Sequence, residues 1–375
     1  MSAALIRPPL GSLLAIALSA VVVTSACGSA ATAPAGSTAP SSTNAKPAES
    51  AAAAKPEGST SAAAKPAGST AAAAKPATLV KVGLNSGTAP TGWPYNVAVS
   101  RGFFAQQGLT TQGTPLSSDA TQIQALVAGD VNFTISGFTV FTAVAGGAKV
   151  KFIASAQETP NFQLLVGKDI KSYSDLKGKT LAAGVTGSFF EVLLRGMLAA
   201  NGLKPGDYQV ISMASSNTRY AALKSGQIAG TLLSIPEENL AIKDGFSSLG
   251  YVSSVFKDMQ YNGYVTSDTW ASANPDTVVA FLRALRNATD WLFDPANKAA
   301  AIQIYGDVSK LSQDDLEAAY NEMITQHMLS RDLRPNLRGI DAYIDLATSL
   351  GAVDKSQIPP KDAWLDLSYV DKLSK

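Results

Sequence analysis

Residues 175–207 read DLKGKTLAAGVTGSFFEVLLRGMLAANGLKPGD and contain a complete strand–turn–helix unit. An apolar run over Thr180–Ala183 predicts a short strand, and a glycine-bearing turn over Gly184–Ser188 leads from it into a helix. The apolar residues after the turn recur at the spacing of a single buried helix face; they are Phe189, Val192, Leu193, Met197 and Ala200. Gly202 and Pro205 then end the helix. Units of this kind are the building blocks of α/β folds.

The turn of this unit is a candidate site for an anionic or strongly accepting group. A helix N-terminus leaves several backbone N–H groups without partners and carries the positive end of the helix dipole. Thr186 and Ser188 place hydroxyl groups on either side of Gly187 in this turn. The alternative is that Ser188 only caps the helix, so one turn alone does not identify a site.

The same arrangement recurs along residues 79–375, where apolar runs alternate with helical patterns. This alternation is typical of an α/β fold with a largely parallel sheet. The other predicted strands are Leu79–Leu84, Thr110–Leu116, Val131–Ile135, Val150–Ala154, Leu164–Val166, Gln209–Ser212 and Ile228–Leu233. Small polar clusters follow most of these strands, and ligands of open α/β sheets bind beyond the carboxyl ends of strands. Several strand ends from two lobes are therefore expected to converge on one cleft.

After Tyr251 the pattern changes. Gln260–Thr266 predicts a returning strand, and the chain is predicted to be helical from Asn274 onward. Amphipathic helices are predicted over Ser312–Ile324, Leu337–Leu350 and Lys361–Leu373. Three aromatic residues of these helices are expected in the core, namely Trp291, Tyr343 and Trp364.

Charge and residue counts exclude several classes of function. The chain has 30 Lys and Arg against 29 Asp and Glu, a net charge of +1, so it offers no basic patch for nucleic acid. A single cysteine, Cys27, rules out an intramolecular disulfide and a cysteine metal cluster. The single histidine, His327, leaves no paired-histidine metal motif. We expect no metal, no cofactor and no nucleic-acid partner.

Residues 1–27 have the order of a secretory signal peptide: Arg7, an apolar run over Leu10–Val23, then small residues up to Cys27. The run is shorter than the roughly 20 residues of a membrane span. Cys27 resembles the acylated cysteine of the bacterial lipoprotein lipobox, although Thr24 stands where that motif usually has leucine. The resemblance implies a lipid anchor at Cys27 on the extracytoplasmic face of the cell membrane. The alternative is ordinary cleavage and release of a periplasmic or secreted protein.

Residues 28–78 are predicted to be a disordered tether. Their composition is dominated by Ala, Pro, Ser, Thr, Gly and Lys, with a near-decapeptide AAAAKPxGST repeat, so they cannot bury a core. A coil of this length has a root-mean-square span of about 40 Å.

Five segments of the body resemble a known family. They are Ala98-x-x-Arg-Gly-Phe-Phe-x-x-x-Gly-Leu109, Leu126-Val-Ala-Gly-Asp-Val131, Asp175-Leu-Lys-Gly-Lys179, Ala222-Leu-Lys-Ser-Gly226, and Asn274-Pro with the helix to Trp291. In order and spacing they resemble the periplasmic substrate-binding proteins of the nitrate/sulfonate/taurine class of ABC importers. That group includes pyrimidine-precursor binders and the yeast pyrimidine synthases. The likeness covers nearly all of residues 79–293 and weakens to helix content after about residue 300.

The resemblance implies a two-lobe periplasmic-binding-protein fold of type II, each lobe a mainly parallel sheet flanked by helices. The first lobe is expected over residues 79–168 and the second over 169–265. Residues 266–375 are expected to return to the first lobe, with the C-terminal helices packed on it. The two crossing segments are expected near Val166–Tyr173 and Gln260–Asp268. Closure of the lobes would trap a solute for a membrane permease and ATPase, and we expect a monomer.

The resemblance also implies a ligand shell at the strand ends of both lobes. By position in the strand–loop–helix order it comprises Thr88, Trp93, Tyr95, Ser118, Ser136, Phe138, Gln157, Thr186, Gly187, Ser188, Asn217 and Glu237. A small anion such as a sulfonate, nitrate or carboxylate would use the helix N-termini and Arg219, which could instead be a solvated surface charge. A pyrimidine, thiamine precursor or flavin-like heteroaromatic would use the aromatic residues for stacking and the glutamates as acceptors.

An enzyme is the main alternative class, because the yeast branch of the resembled family makes a pyrimidine. That branch uses an active-site histidine and a cysteine-rich motif. Here His327 lies in a late helical pattern, where a solvated or core role is expected, and Cys27 lies outside the fold. A binding protein that reports to a sensor kinase would need the same lobe closure and stays open as a third reading.

Overall fold

The computed structural model describes residues 76–84, 90–116, 118–137 and 140–374. Residues 1–75 lie outside the described part, and with them the predicted signal peptide, the acylation site Cys27 and nearly all of the predicted tether. The strands of the described part, in chain order, are β1 (Thr78–Leu84), β2 (Leu109–Pro115), β3 (Phe133–Gly137), β4 (Val150–Gln157), β5 (Gln163–Val166), β6 (Thr180–Ala183), β7 (Gln209–Ser212), β8 (Gly230–Leu233), β9 (Ser247–Tyr251) and β10 (Asn262–Ser267).

Helices flank these strands along the chain. They are α1 (Trp93–Ser100), α2 (Phe103–Gln106), α3 (Asp119–Ala128), α4 (Val140–Ala145), α5 (Phe189–Ala200), α6 (Ser216–Lys224), α7 (Glu237–Lys243), α8 (Val252–Val255), α9 (Asp268–Ala273), α10 (Pro275–Phe293), α11 (Lys298–Ser309), α12 (Gln313–Thr325), α13 (Leu337–Ser349), α14 (Lys361–Trp364) and α15 (Ser368–Asp371). Within the described part, none of them combines the length and apolar character that a bilayer span requires.

The strands form two five-stranded sheets with the same layout. The first has the order β2-β1-β3-β10-β4 and the second the order β7-β6-β8-β5-β9. In each sheet one strand, β10 or β5, is antiparallel to its neighbours, and the other four run in one direction. The predicted fold class, two α/β lobes with mainly parallel sheets, is confirmed.

The crossing segments lie earlier in the chain than the sequence predicts. Because β5 belongs to the second sheet, the first crossing is residues 158–162 rather than Val166–Tyr173. Because β10 belongs to the first sheet, the second crossing lies within residues 252–261 and ends before most of Gln260–Asp268. A short apolar run has the same pattern in either lobe, so the sequence could not assign these two strands to a sheet.

The edge strand β9 (Ser247–Tyr251) is missing from the predicted strands. Its residues SSLGY are half-buried or exposed and include a glycine at positive φ, Gly250. Such a segment lacks the alternation of apolar and polar residues by which strands are recognised.

The first lobe takes up most of the C-terminal helices, as the resemblance implies. Residues of α10, α11 and α12 share one apolar cluster with α1 and the first sheet. Phe281 of α10 stacks on Phe133 of β3 with ring centroids 3.9 Å apart. Helix α13 differs, since its Tyr343 packs on Phe189 of α5 in the second lobe, with ring centroids 4.8 Å apart. The C-terminal chain therefore contacts both lobes.

Local sequence explains helix α5 (Phe189–Ala200). The residues Phe189, Val192, Leu193 and Met197 are buried as their spacing predicts. The hydroxyl of Ser188 accepts from the backbone N–H of Glu191 at 3.4 Å and so caps the helix. Tyr343 and Trp364 are fully buried, as expected, whereas Trp291 is half-buried.

Candidate functional site

The candidate site lies at the strand ends of the two sheets, on the side where the parallel strands have their carboxyl ends. In the first lobe Trp93 follows β1, Ser136 lies near the end of β3, and Asn262 begins the antiparallel strand β10. In the second lobe Arg219 lies in α6 after β7, and Glu237 begins α7 after β8. These positions are the carboxyl ends of the parallel strands, where α/β sheets bind ligands.

Unpartnered buried polar atoms gather at these edges. In the part of the chain that the structure describes, buried side-chain atoms without a hydrogen-bond partner are Thr91 Oγ1, Trp93 Nε1, Ser136 Oγ, Arg219 Nε, Glu238 Oε2, Asn239 Nδ2, Asn262 Nδ2 and Tyr305 hydroxyl. Each such atom costs about 1–3 kcal/mol when it is left without a partner. Native proteins keep few of them, and each requires an explanation. Their concentration at the strand ends of both lobes indicates a binding site.

On the first-lobe side, an aromatic group surrounds Trp93. Tyr305 of α11 meets the Trp93 ring edge-on with centroids 4.5 Å apart, and Tyr320 of α12 lies 5.6 Å away. Trp93 is 1 % exposed and Tyr305 is 2 % exposed. Burial raises the pKa of Tyr305, and the charge of Glu237 raises it further. Glu237 of the second lobe is therefore close enough to the Tyr305 hydroxyl of the first lobe to raise its pKa.

On the second-lobe side, Arg219 is a buried cation with an unused N–H group. It is 1 % exposed, so it is not the solvated surface charge that the sequence left open. Its Nη1 donates to the carbonyl oxygens of Met213 and Ala214 at 3.0 and 3.1 Å, and its Nη2 donates to Ser216 Oγ at 3.0 Å. Burial lowers the pKa of Arg219 to about 10, while the charge of Glu237 opposes this, so the guanidinium stays charged at neutral pH.

Contacts extend from Arg219 to the second crossing segment. The guanidinium lies 4.9 Å from the ring centroid of Phe190, a cation–π contact. The ring of Phe190 packs on that of Phe162 with centroids 4.8 Å apart. The ring of Phe162 meets that of Tyr261 edge-on with centroids 5.0 Å apart. Tyr261 directly precedes Asn262, whose Oδ1 accepts from the backbone N–H of Gln157 at 3.1 Å. The network thus links the second lobe to the first-lobe sheet edge.

The predicted anion site at the turn over Gly184–Ser188 is already used by the protein itself. The N–H of Gly187 donates to Glu191 Oε2 at 2.6 Å, and Arg195 pairs with the other oxygen of the same carboxylate at 2.7 Å. The Ser188 hydroxyl caps the helix, and Thr186 is exposed. The Glu191 carboxylate therefore accepts from one of the backbone donors that the sequence assigned to a ligand, and no side chain of this turn belongs to the unpartnered set.

Four other predicted ligand residues are not among those with unpartnered buried atoms, because they bond to other protein groups or are exposed. The Tyr95 hydroxyl donates to Thr111 Oγ1 at 3.2 Å and its ring packs on Phe104, so it serves the first-lobe core. Ser118 caps α3 through a reciprocal pair of contacts with Thr121. Gln157 is buried, and its Nε2 donates to the Thr159 carbonyl oxygen at 3.0 Å. Asn217 is exposed in the first turn of α6.

Three of the predicted residues belong to the candidate site: Trp93, Ser136 and Glu237. Thr88 and Phe138 lie outside the described residues. Burial raises the pKa of Glu237, whereas its backbone N–H and the charge of Arg219 act in the opposite direction.

Sequence reasoning missed Tyr305 and Asn262. Tyr305 lies in the middle of a C-terminal helix, α11, and only the return of that helix to the first lobe brings it to the site. Asn262 begins a strand that runs against its neighbours, so the rule that polar residues follow a strand does not find it.

Two further features lie apart from the site. His327 is exposed just after α12, with its ring 6.4 Å from that of Phe293. A separate open cavity of about 730 Å³ lies along α11 and α12 and is lined by residues such as Ile302 and Leu316.

Among the described residues no group of three or more His, Cys, Asp or Glu side chains could hold a metal ion.

Comparison with known proteins agrees with this architecture. The chain is 27% identical over 277 residues to a candidate binding protein of Brucella abortus, covering 72% of this chain and 85% of that protein. It is 24% identical over 230 residues to a yeast 4-amino-5-hydroxymethyl-2-methylpyrimidine phosphate synthase, covering 56% of this chain and 66% of the enzyme.

Solved structures share the fold at lower identity. The periplasmic nitrate-binding protein of Synechocystis superimposes with a TM-score of 0.68 at 17% identity, covering 80% of this chain and 88% of that one. The alkanesulfonate-binding protein of Xanthomonas axonopodis, bound to MOPS, gives 0.63 at 20% identity, covering 78% and 100%.

A family model described as NMT1/THI5 like matches residues 90–299, which include strands β2 to β10 and both crossing segments. Because this match spans more than half of the 375 residues, the chain belongs to the NMT1/THI5-like family.

Proposed function

We propose that this protein is the extracytoplasmic solute-binding component of an ABC importer, which captures a small polar solute between its two lobes. The observation that carries the proposal is the set of unpartnered buried polar atoms at the strand ends of both lobes. A solute that bonds to them removes the cost of leaving them unpaired, and it does so only when both lobes reach it. Binding and closure are then coupled, which is how such proteins report occupancy to a permease and an ATPase.

The chemistry of the unpartnered atoms favours a small anion. Trp93 Nε1, Arg219 Nε, Asn239 Nδ2 and Asn262 Nδ2 can only donate, whereas only Glu238 Oε2 belongs to a carboxyl group. Donors in excess, with a buried guanidinium among them, suit an acceptor-rich group such as a sulfonate, nitrate or carboxylate. The nitrate- and alkanesulfonate-binding neighbours support this class.

A heteroaromatic solute is the second candidate, and two observations favour it. Glu237 and Glu238 are both buried, and they could accept from ring N–H groups. Trp93 and Tyr305 provide aromatic surface beside them. A pyrimidine or thiamine precursor would match this part of the site, as would a flavin-like ring.

We propose binding rather than catalysis as the role of the site. The nitrate- and sulfonate-binding neighbours are binding proteins, and the Brucella relative is named as one. The yeast relative is named as a synthase, so an enzyme of that type is the alternative. A sensor kinase in place of the permease would use the same closure.

A solute panel tests the proposal directly. The full chain is heated in the presence of nitrate, sulfonates, carboxylates, pyrimidines or flavins, and the unfolding temperature is recorded. A bound solute at a hundred times its dissociation constant stabilises the folded state by about 2.7 kcal/mol, which shifts the midpoint by several degrees. We expect a shift with at least one anion class; a shift with heteroaromatics alone would select the second candidate.

A matched pair of serine variants links the shift to the site. Ser136→Ala removes an unpartnered buried hydroxyl and is expected to reduce the solute-induced shift. Ser349→Ala removes an exposed hydroxyl at the end of α13, so it should change stability by less than about 0.5 kcal/mol and leave the solute-induced shift unchanged. Equal loss of the shift in both variants would argue against a site at the strand ends.

We propose that the protein is exported and that its lipid anchor is attached at Cys27. Cys27→Ala is expected to move the protein from the membrane fraction to the soluble fraction of its cells, because one thiol carries the anchor. Cell fractionation and immunoblotting measure this. Retention of the Cys27→Ala variant in the membrane fraction would contradict acylation at this residue.

A further inference from the structure

Two helices of different lobes meet beside the candidate site. Helix α7 belongs to the second lobe, and α12 packs in the apolar cluster of the first lobe. Lys243 of α7 forms an ion pair with Asp315 of α12. Nearer the start of α7, Glu238 faces a second carboxyl group, that of Glu322 on α12. The negative charge of Glu322 raises the pKa of Glu238. The contact therefore joins one attractive pair and one repulsive pair.

Neutral donors surround the two carboxyl groups. The Tyr251 hydroxyl of β9 donates to Glu238 Oε1 at 3.1 Å. Gln163 of β5 donates to the same oxygen of Glu238. Asn161, in the first crossing segment, donates to Glu322 Oε1. Gln163 and Asn161 are two residues apart in the chain, and they hold the two carboxyl groups, one on α7 and one on α12.

The other charged groups near this contact have partners of their own. Lys243 is engaged by Asp315, and the charge of Arg219 acts on Glu237, the neighbour of Glu238 on α7. Glu238 is 1 % exposed, and its Oε2 has no hydrogen-bond partner. Two carboxylates that share one site cannot both ionise without a large cost, so one proton on the pair stabilises the contact.

We propose that the contact between α7 and α12 is a proton-dependent latch, in which closure of the lobes takes up one proton at the Glu238–Glu322 pair. The inference rests on the proposed function, because it requires lobes that open and close. It adds regulation to that function: the acidity of the medium sets how readily the lobes stay closed.

The direction of the pH dependence follows from the two states. Burial, and then the charge of Glu322, raises the pKa of Glu238 to about 8 in the closed lobes. When the lobes open, the carboxyl group meets water and its pKa returns to about 4.3. Below about pH 4 both states are protonated, and above about pH 8 both are ionised. Between these limits the closed form must bind a proton, so the closed-to-open ratio falls as pH rises, by up to about tenfold per pH unit.

The test measures the distance between the lobes in the full chain without any solute. Fluorophores are attached at the exposed positions Gln106 of the first lobe and Gln227 of the second, through Gln106→Cys and Gln227→Cys in a Cys27→Ser background. Energy transfer between two pH-insensitive dyes is recorded from pH 5 to pH 9. We expect the distance between the dyes to change with pH in a single-proton transition.

Two variants decide whether Glu238 is responsible. Glu238→Gln removes one carboxyl group of the pair while keeping a similar shape, so the repulsion between the two charges is lost at every pH. The transition should be strongly reduced, and transfer at high pH should stay near its acid-side value. Glu317→Gln, an exposed glutamate of α12, should keep the transition of the parent. A flat profile in the parent, or an unchanged transition in Glu238→Gln, would overturn the latch. Because no solute is present, these results are independent of whether the solute panel succeeds.

Discussion

Gly263→Val is expected to prevent the chain from folding stably. Gly263 lies in β10, between β3 and β4 of the first sheet, where the pairing with β4 changes register. A Cβ atom at this position would lie 2.2 Å from the Ala154 carbonyl oxygen and 2.2 Å from the Phe152 ring. A backbone oxygen in the middle of a sheet cannot move away, so the cost should reach about 3 kcal/mol or more. Urea unfolding of purified protein, or its recovery in the soluble fraction, measures the loss.

Gly167→Ala is the matched control. A Cβ atom at Gly167 would come no nearer than 3.8 Å to its neighbours, which is ordinary van der Waals contact. This variant should unfold within about 1 kcal/mol of the parent. If Gly263→Val matched it, the close approach of β10 to Ala154 and Phe152 would be disproved.

Arg219→Met is expected to lower the stability of the protein and to weaken solute binding strongly. The change removes the cation whose charge lowers the pKa of the buried Glu237, and it leaves four acceptors of Arg219 without their donor. Each buried acceptor left without a partner costs about 1–3 kcal/mol in stability. Truncating a buried charged contact to a ligand costs about 2–5 kcal/mol in binding, which is roughly 30-fold or more in affinity. Urea unfolding, and titration with the solute that the panel identifies, measure both effects.

Two further arginine variants make this result specific. Arg334→Met removes an exposed ion pair with Asp371 and should change stability by less than about 1 kcal/mol. Arg219→Lys keeps a positive charge but cannot donate in the same fork, so it should fall between the parent and Arg219→Met. If Arg219→Met bound the solute as tightly as the parent, Arg219 would have no place in the site.

The sequence was most informative where one residue pattern has one structural solution. The run Thr180–Ala183 and the helix after Ser188 are found at their predicted positions, because the apolar spacing and the cap agree with each other. The general position of the site, at strand ends, follows from the same alternation. Trp93, Ser136 and Glu237 were predicted for this reason, and the structure places them at these strand ends.

The remaining features depend on contacts between distant segments. The sequence around Gly187 could not show that Glu191 would take the place of a ligand, because a carboxylate in the first turn of a helix has several possible partners. It could not show that Arg219 is buried, since burial follows from the packing of α6 against the second sheet. Tyr305 reaches the site only through the return of the C-terminal helices.

The matching layout of the two sheets has a consequence for how the chain is divided. Strand β5 follows β4 in the chain but completes the second sheet, and β10 follows β9 but completes the first. The halves of the chain on either side of the exposed residues Lys168 and Asp169 therefore exchange one strand each. Cutting the backbone there would give two fragments, neither of which contains all the strands of its own sheet. Each lobe is therefore complete only when both halves are present, so the two pieces are expected to be structured together rather than separately.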